Sequence, residues 1–134
     1  MENSILSLDV GGRRIGLALA GQTAKLASPL GAIDRQAEDT WEALHKVLDT
    51  HNVNQVVIGL PRGLDGQETA QTAIIREFAE EFKEHFDHPI QFQDEAVTSR
   101  QAEEELRERG VSYNKADVDA LAATYILTDY LNVH

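Results

Sequence analysis

The stretch Ser4-Ile-Leu-Ser-Leu-Asp-Val-Gly-Gly-Arg-Arg-Ile-Gly16 decides how the rest of the chain is read. Alternation over residues 4–10 puts Leu6, Leu8 and Val10 on one face of a strand and Ile5, Ser7 and Asp9 on the other. Gly11-Gly12 then turns the chain into a second strand over about residues 14–20, a hairpin. Asp9 is the anomaly. A carboxylate inside an apolar run is costly to desolvate unless a cation meets it, and the glycines after it admit a close backbone or ligand. Either Asp9 caps the turn or it belongs to a cation site.

Working outward, Leu26 to Ile33 reads as a third strand interrupted by Pro29 and Gly31. Ala37, Trp41, Leu44 and Leu48 recur at helical spacing. Gln55 to Leu60 is a continuous apolar run ending in Pro61, the pattern of a strand covered on both faces. The loop Arg62-Gly-Leu-Asp-Gly66 follows it, and Ala70, Ile74, Phe78, Phe82 and Phe86 mark the core stripe of a long helix ending near Pro89. Ile90 to Glu95 forms the next strand, Thr98 with Gln101 has the form of a capping box, and Gly110 closes the helix it opens. A last helix covers about residues 115–131. The order β-β-β-α-β-α-β-α-α predicts an α/β fold built on a mixed sheet, its parallel part supplied by crossovers. With no repeat, linker or low-complexity segment, residues 1–134 read as one domain.

Composition narrows the function classes. The chain is 42% hydrophobic, which fits a globular protein. No apolar run approaches the length of a membrane span and no secretory leader is evident, so a protein away from membranes is expected. The absence of cysteine excludes disulfides and thiolate metal sites and agrees with a cytoplasmic location. Twelve Lys+Arg against 23 Asp+Glu leave a net charge of −11, which argues against indiscriminate coating of nucleic acid. Much of that acid lies in Glu77–Glu84 and Glu103–Glu108 at helical spacing, as expected of solvated outer faces. The five histidines show no paired metal-ligand spacing, and Trp41 and the phenylalanines match core stripes.

Two downstream carboxylates are candidates to join Asp9. Glu95 ends its strand on the face of Gln91 and Gln93, with Asp94 as its neighbouring rival. Asp119 begins a helical face continued by Ala122, Ala123, Ile126 and Tyr130, whose alanines permit close approach to the sheet. Asp117 lies on another face in the first turn, where the helix dipole accounts for it, so Asp119 is preferred. Three convergent carboxylates point to two Mg²⁺ or Mn²⁺ ions, roughly 3.5–4 Å apart, serving phosphoryl transfer. Hard oxygen donors suit magnesium better than zinc. Arg13, Arg14, Arg62, Arg100 and Lys115 fall in turns or helix starts and form a candidate basic rim for nucleic acid. Thr98 and Ser99 either cap a helix or hold a phosphate, and the Gly59–Gly66 loop either serves turns or offers amides and Arg62 to a phosphate.

Taken in order, Leu8-Asp-Val-Gly-x-x-x-Ile-Gly16, Ser28-Pro-Leu30, Val57-Ile-Gly-Leu-Pro61 with Asp65-Gly66, Asp94-Glu-x-x-Thr-Ser99 and Asn114-Lys-x-x-Val-Asp-x-x-Ala-Ala123 resemble the YqgF family, also called RuvX. The resemblance spans essentially the whole chain. It implies a ribonuclease H-like fold and a cytoplasmic metal-dependent nuclease for 5′-end maturation of pre-16S ribosomal RNA, with Asp9, Glu95 and Asp119 as its acidic site. An older label for the family implies Holliday-junction resolution on branched DNA instead. A monomer or a homodimer is expected, junction cutting requiring the latter. Three departures bear on substrate affinity: Gly12 replaces a common threonine, Arg62-Gly63 a Leu-Asn type pair, and Ala96 a common arginine. Two rival readings remain: a nucleic-acid-binding assembly factor without catalysis, and an ATPase of the actin and sugar-kinase class, which needs two such domains.

Overall fold

The computed structural model describes residues 2–95, 99–110 and 112–134, the side chains of residues 99–101 apart. Strands β1 (Ser4–Val10), β2 (Arg14–Gly21) and β3 (Ser28–Asp34) precede α1 (Thr40–Thr50), β4 (Val53–Pro61), α2 (Ala70–His85), β5 (Ile90–Glu95), α3 (Ser99–Glu108) and α4 (Lys115–Val133). They build a five-stranded sheet in the order β3-β2-β1-β4-β5. β1 runs antiparallel to β2 and parallel to β4, so the hairpin and the first crossover meet on one central strand. The acid-bearing ends of β1 and β5 therefore lie at the same end of the sheet, where the parallel strands finish, separated by β4.

The alternation read from β1 is what splits the core into two layers. Leu6, Leu8 and Val10 join Ile58, Leu60, Leu44, Phe78 and Phe82 under α1 and α2. Ile5, with Ala18, Ala20 and Val57, faces Ala123, Ile126, Leu127 and Tyr130 of α4. A third cluster, Ala102, Leu106, Val118 and Leu121, fastens α3 to α4. Small residues on the α4 side let that helix sit low. A Cβ at Gly16 would lie 2.0 Å from the carbonyl oxygen of Asp119, and the buried Ser7 hydroxyl donates to the Ala123 carbonyl at 2.7 Å.

The boundaries of α2, α1 and β3 differ from the sequence reading for identifiable reasons. The 70-74-78-82-86 ladder steps by four residues, against 3.6 per turn, and drifts around the helix. Ile74 is consequently exposed, Thr72, Ile75 and Ala79 take up the buried face, and α2 ends at His85 with Phe86 as its C-cap, short of Pro89. Ala37 lies outside α1, in a turn whose amides at Ala37 and Glu38 donate to the Asp34 carbonyl, because Asp39 caps the helix through the Glu42 amide. β3 starts at Ser28, and Leu26 is 77% exposed. Trp41 also stacks on Phe78 and His85, at 5.2 and 4.5 Å between centroids, so it holds α1 against α2 through its ring faces.

Candidate active site

Asp9 sits one residue before the end of β1, on the face toward α4, and pairs across the ladder with Gly16. Glu95 ends β5 in register with Pro61 of β4, on the same face. Two strands flanking a third are about 10 Å apart, and what fills that gap is Gly59. A Cβ there would lie 3.6 Å from Glu95 Oε2 and 2.5 Å from Ile126 Cδ1. Ile126 takes the space a side chain would need there, and beside it the carboxyl groups of Asp9 and Glu95 meet in a hydrogen bond.

That meeting has an electrostatic cost. Burial, then repulsion from Asp9, pushes the Glu95 carboxyl up from 4.5 to about 8. Burial also raises Asp9, an effect offset by the hydrogen bond from Glu95 and reinforced by repulsion from Asp119. Near neutral pH Glu95 keeps the proton and donates it to Asp9. Asp119 is close enough to repel Asp9 but does not enter the pair. Its Oδ2 accepts from Arg14 Nε at 2.5 Å, with the two side chains only 14% and 29% exposed. Among the described residues no group of three or more Asp, Glu or His side chains is arranged to hold a metal ion. The structure thus joins two of the three expected carboxylates and leaves the third on an arginine.

The donor chemistry of the pair nevertheless fits a divalent cation. Two desolvated carboxyls share one proton where neither can ionise cheaply alone, and Ile126 of α4 packs down onto Gly59 beside them. Oxygen-only donors suit Mg²⁺ or Mn²⁺. Asp94, the rival of Glu95, is exposed and accepts from Arg62 Nε at 2.9 Å. Asp117 is part of a capping box, its carboxylate accepting from the Asn114 amide at 3.0 Å.

The basic rim is less free than the sequence reading implied. Arg13 pairs with Asp34 at 3.5 Å, Arg14 with Asp119, and Arg62 with Asp94 and Glu68. Each had a carboxylate partner brought to it by a different strand, helix or loop, which spacing along the chain does not reveal. Lys115 is exposed at the start of α4. Thr98, the proposed capping box and the Ala96 departure lie outside the described residues, as do the side chains of Ser99 and Arg100. One residue went unnoticed: Arg35 Nη1 donates to the Gly11 carbonyl at 2.9 Å while its guanidinium lies 5.6 Å from the Phe78 ring centre, bracing the turn after Asp9. A lone arginine after a strand gives no local signal of that.

A five-stranded mixed sheet of this order, flanked by helices and with acidic groups gathered at the ends of β1 and β5 beside α4, defines the α/β class called ribonuclease H-like. The fold is shared with a fowlpox virus resolvase solved with Holliday-junction DNA (TM-score 0.59, 12% identity, 97% of each chain). It is shared as well with Thermus thermophilus RuvC bound to a Holliday junction (TM-score 0.58, 16% identity, 97% and 94% of the chains). Sequence places the protein more narrowly: it belongs to the RuvX family, described as Holliday junction resolvase, which matches residues 3–133. A relative from Maridesulfovibrio salexigens, named "Putative pre-16S rRNA nuclease", is 35% identical over 95% of this chain and 96% of its own. One of the same name from Chloroflexus aggregans is 37% identical over 98% and 94%. Among the described residues no helix is long and apolar enough to cross a membrane.

Proposed function

We propose that this protein is a metal-dependent endonuclease that hydrolyses phosphodiester bonds in the 5′-end maturation of pre-16S ribosomal RNA in the cytoplasm. The observation that carries the reading is the Asp9–Glu95 pair, two carboxyls forced together at the ends of parallel strands with Glu95 raised to about 8. Acidic pairs that shed a proton when a cation arrives are the sites metal-assisted hydrolysis requires. Asp9 and Glu95 would hold Mg²⁺ or Mn²⁺, and Asp119 would complete the set on leaving Arg14. Bound there, the metal would lower the proton affinity of an attacking water and stabilise charge on the leaving oxygen. The chain's own groups do the rest. Gly59 lets Ile126 of α4 pack close beside Glu95, α4 holds Asp119 over Gly16, and Arg14 supplies a partly buried guanidinium that a scissile phosphate can share.

Junction cleavage is the second reading, favoured by the shared fold with the resolvases. The test is a side-by-side assay of precursor RNA and a four-way DNA junction, with Mg²⁺ and with EDTA. Mg²⁺-dependent cutting of RNA that Asp9→Asn abolishes is the expected result. Cutting confined to the junction would move the substrate to DNA. Equal RNA binding in both buffers with no cutting would replace the enzyme by a binding factor.

A further inference from the structure

Nucleic-acid affinity usually draws heavily on neutralised phosphates. This chain carries a net charge of −11, and Arg13, Arg14 and Arg62 at the site are already matched by carboxylates. Stacking of bases does not depend on net charge. A cavity of about 370 Å³ near the start of α4 offers that interaction, walled by Leu30 and Leu121 and edged by Arg109, Ser112, Tyr113 and Asp117. The size and the mix of apolar wall with a few polar groups are those of sites for small planar ligands. Tyr113 leaves 37% of its surface exposed, and Arg109 is tethered by a 3.1 Å bond from Nη2 to Glu105. Gly31, at φ +141°, has nothing within 4 Å of where a Cβ would stand, so the β3 wall stays open.

The cavity is also in the right place. Asp117 and Ala120, which line it, flank Asp119 on α4, and two helical residues span about 3 Å of axis. Gly31 pairs with Leu17, the neighbour of the Gly16 that touches the Asp119 backbone.

We propose that this cavity receives one unpaired nucleobase of the strand whose backbone lies at Asp9 and Glu95, stacked on Tyr113 and met at its edge by Arg109. The proposal rests on the nuclease reading above and deepens it. Substrates with a single-stranded or extruded nucleotide beside the cleaved bond are preferred over continuous duplex.

The test uses the full chain with Mg²⁺ and a labelled single-stranded RNA of about 12 nucleotides, its DNA counterpart, and a series of each with an abasic site moved one position at a time. One abasic position near the cut should lower kcat/KM about tenfold, mainly through KM. Tyr113→Ala should cost the same on intact RNA and nothing further on that abasic strand, while Tyr113→Phe should behave as wild type. Ala120→Leu, which fills the cavity and removes no polar group, should reproduce the loss. A flat abasic scan in a wild-type protein that cuts, or Tyr113→Ala cutting every strand at the wild-type rate, overturns the cavity assignment alone. A wild-type protein that cuts none of the strands overturns the nuclease reading and this one with it.

Discussion

Replacing Glu95 by glutamine should make the protein more stable at alkaline pH while removing its proposed activity. The folded chain holds the Glu95 proton at about 8 against an ordinary 4.5. At about 1.36 kcal/mol per decade of proton affinity, that difference caps at about 5 kcal/mol. Glu95 is only half-buried, and screening by solvent brings a realistic figure to about 2 kcal/mol. The folded state binds this proton more tightly than the unfolded one. Stability from the group is therefore full below about pH 4.5 and is lost as pH rises to about 8. Asp9, also raised, acts in the same direction. Asp34 and Glu68, held low by the Gln36 amide and by Arg76 respectively, act in the opposite direction but equally in both proteins. The side chain of the Glu95→Gln variant cannot ionise, and its amide can still donate to Asp9. In EDTA the two proteins should melt together near pH 5 and separate progressively, reaching about 6 °C in favour of the variant near pH 8.5. Thermal unfolding followed by circular dichroism measures this. Parallel Tm curves for the two proteins over that range, or a variant melting lower at pH 8.5, would show that no strained carboxyl pair exists.

Other outcomes follow from the same geometry. Asp9→Asn should reduce Mg²⁺-dependent cleavage at least 100-fold, the order lost with one essential charge-stabilising group, without lowering Tm, since the substituted carboxyl is itself a burial cost. Mg²⁺ at about 100 times its Kd should stabilise the wild type at pH 8.5 by about 2.7 kcal/mol and the Glu95→Gln protein by much less. Calorimetric scans with and without the metal compare them, and equal stabilisation would place the cation elsewhere. Gly16→Ala should destabilise by about 3 kcal/mol or more, because its methyl would meet the Asp119 carbonyl at 2.0 Å and α4 must lift. Denaturant titration checks the last, and a loss below about 1 kcal/mol would mean the helix is not pinned there.

The strands were legible because period-two alternation carries its own face assignment. Leu6, Leu8 and Val10 went to one core and Ile5 to the other as read from β1. Helix faces were less legible where apolar residues sit side by side: Ile74 and Ile75 both fit a loose periodicity, and only the drift of a four-residue step selects Ile75. Asp9 stood out in sequence because an acid in an apolar strand demands a reason, and Glu95 because it ends its strand on the polar face of Gln91 and Gln93. The relation of Asp119 to Arg14 was not legible. The two are 105 positions apart, and their contact depends on how far α4 sinks onto the sheet. The arginines marked as a phosphate rim were read by position in turns, and position says nothing about the carboxylates that the fold delivers to them.

Two glycines link the height of a helix to the charge density of the site. Gly16 faces Asp9 across one ladder, and its missing side chain is what lets the Asp119 backbone come down onto β2. Gly59 occupies the strand between Asp9 and Glu95, and its missing side chain is what lets Ile126 of α4 come down beside Glu95. With a methyl at either place, one acid would be lifted away from the others and the repulsion would fall. The sheet, covered on both faces by apolar clusters, supplies the cohesion that tolerates this unfavourable gathering. Arg14 then holds Asp119 aside, keeping a third negative charge from the pair. A cation entering between the two carboxyls would displace the shared proton and compete with Arg14 for Asp119, so the proposed metal binding and release of that arginine toward a phosphate would be opposite sides of one charge balance.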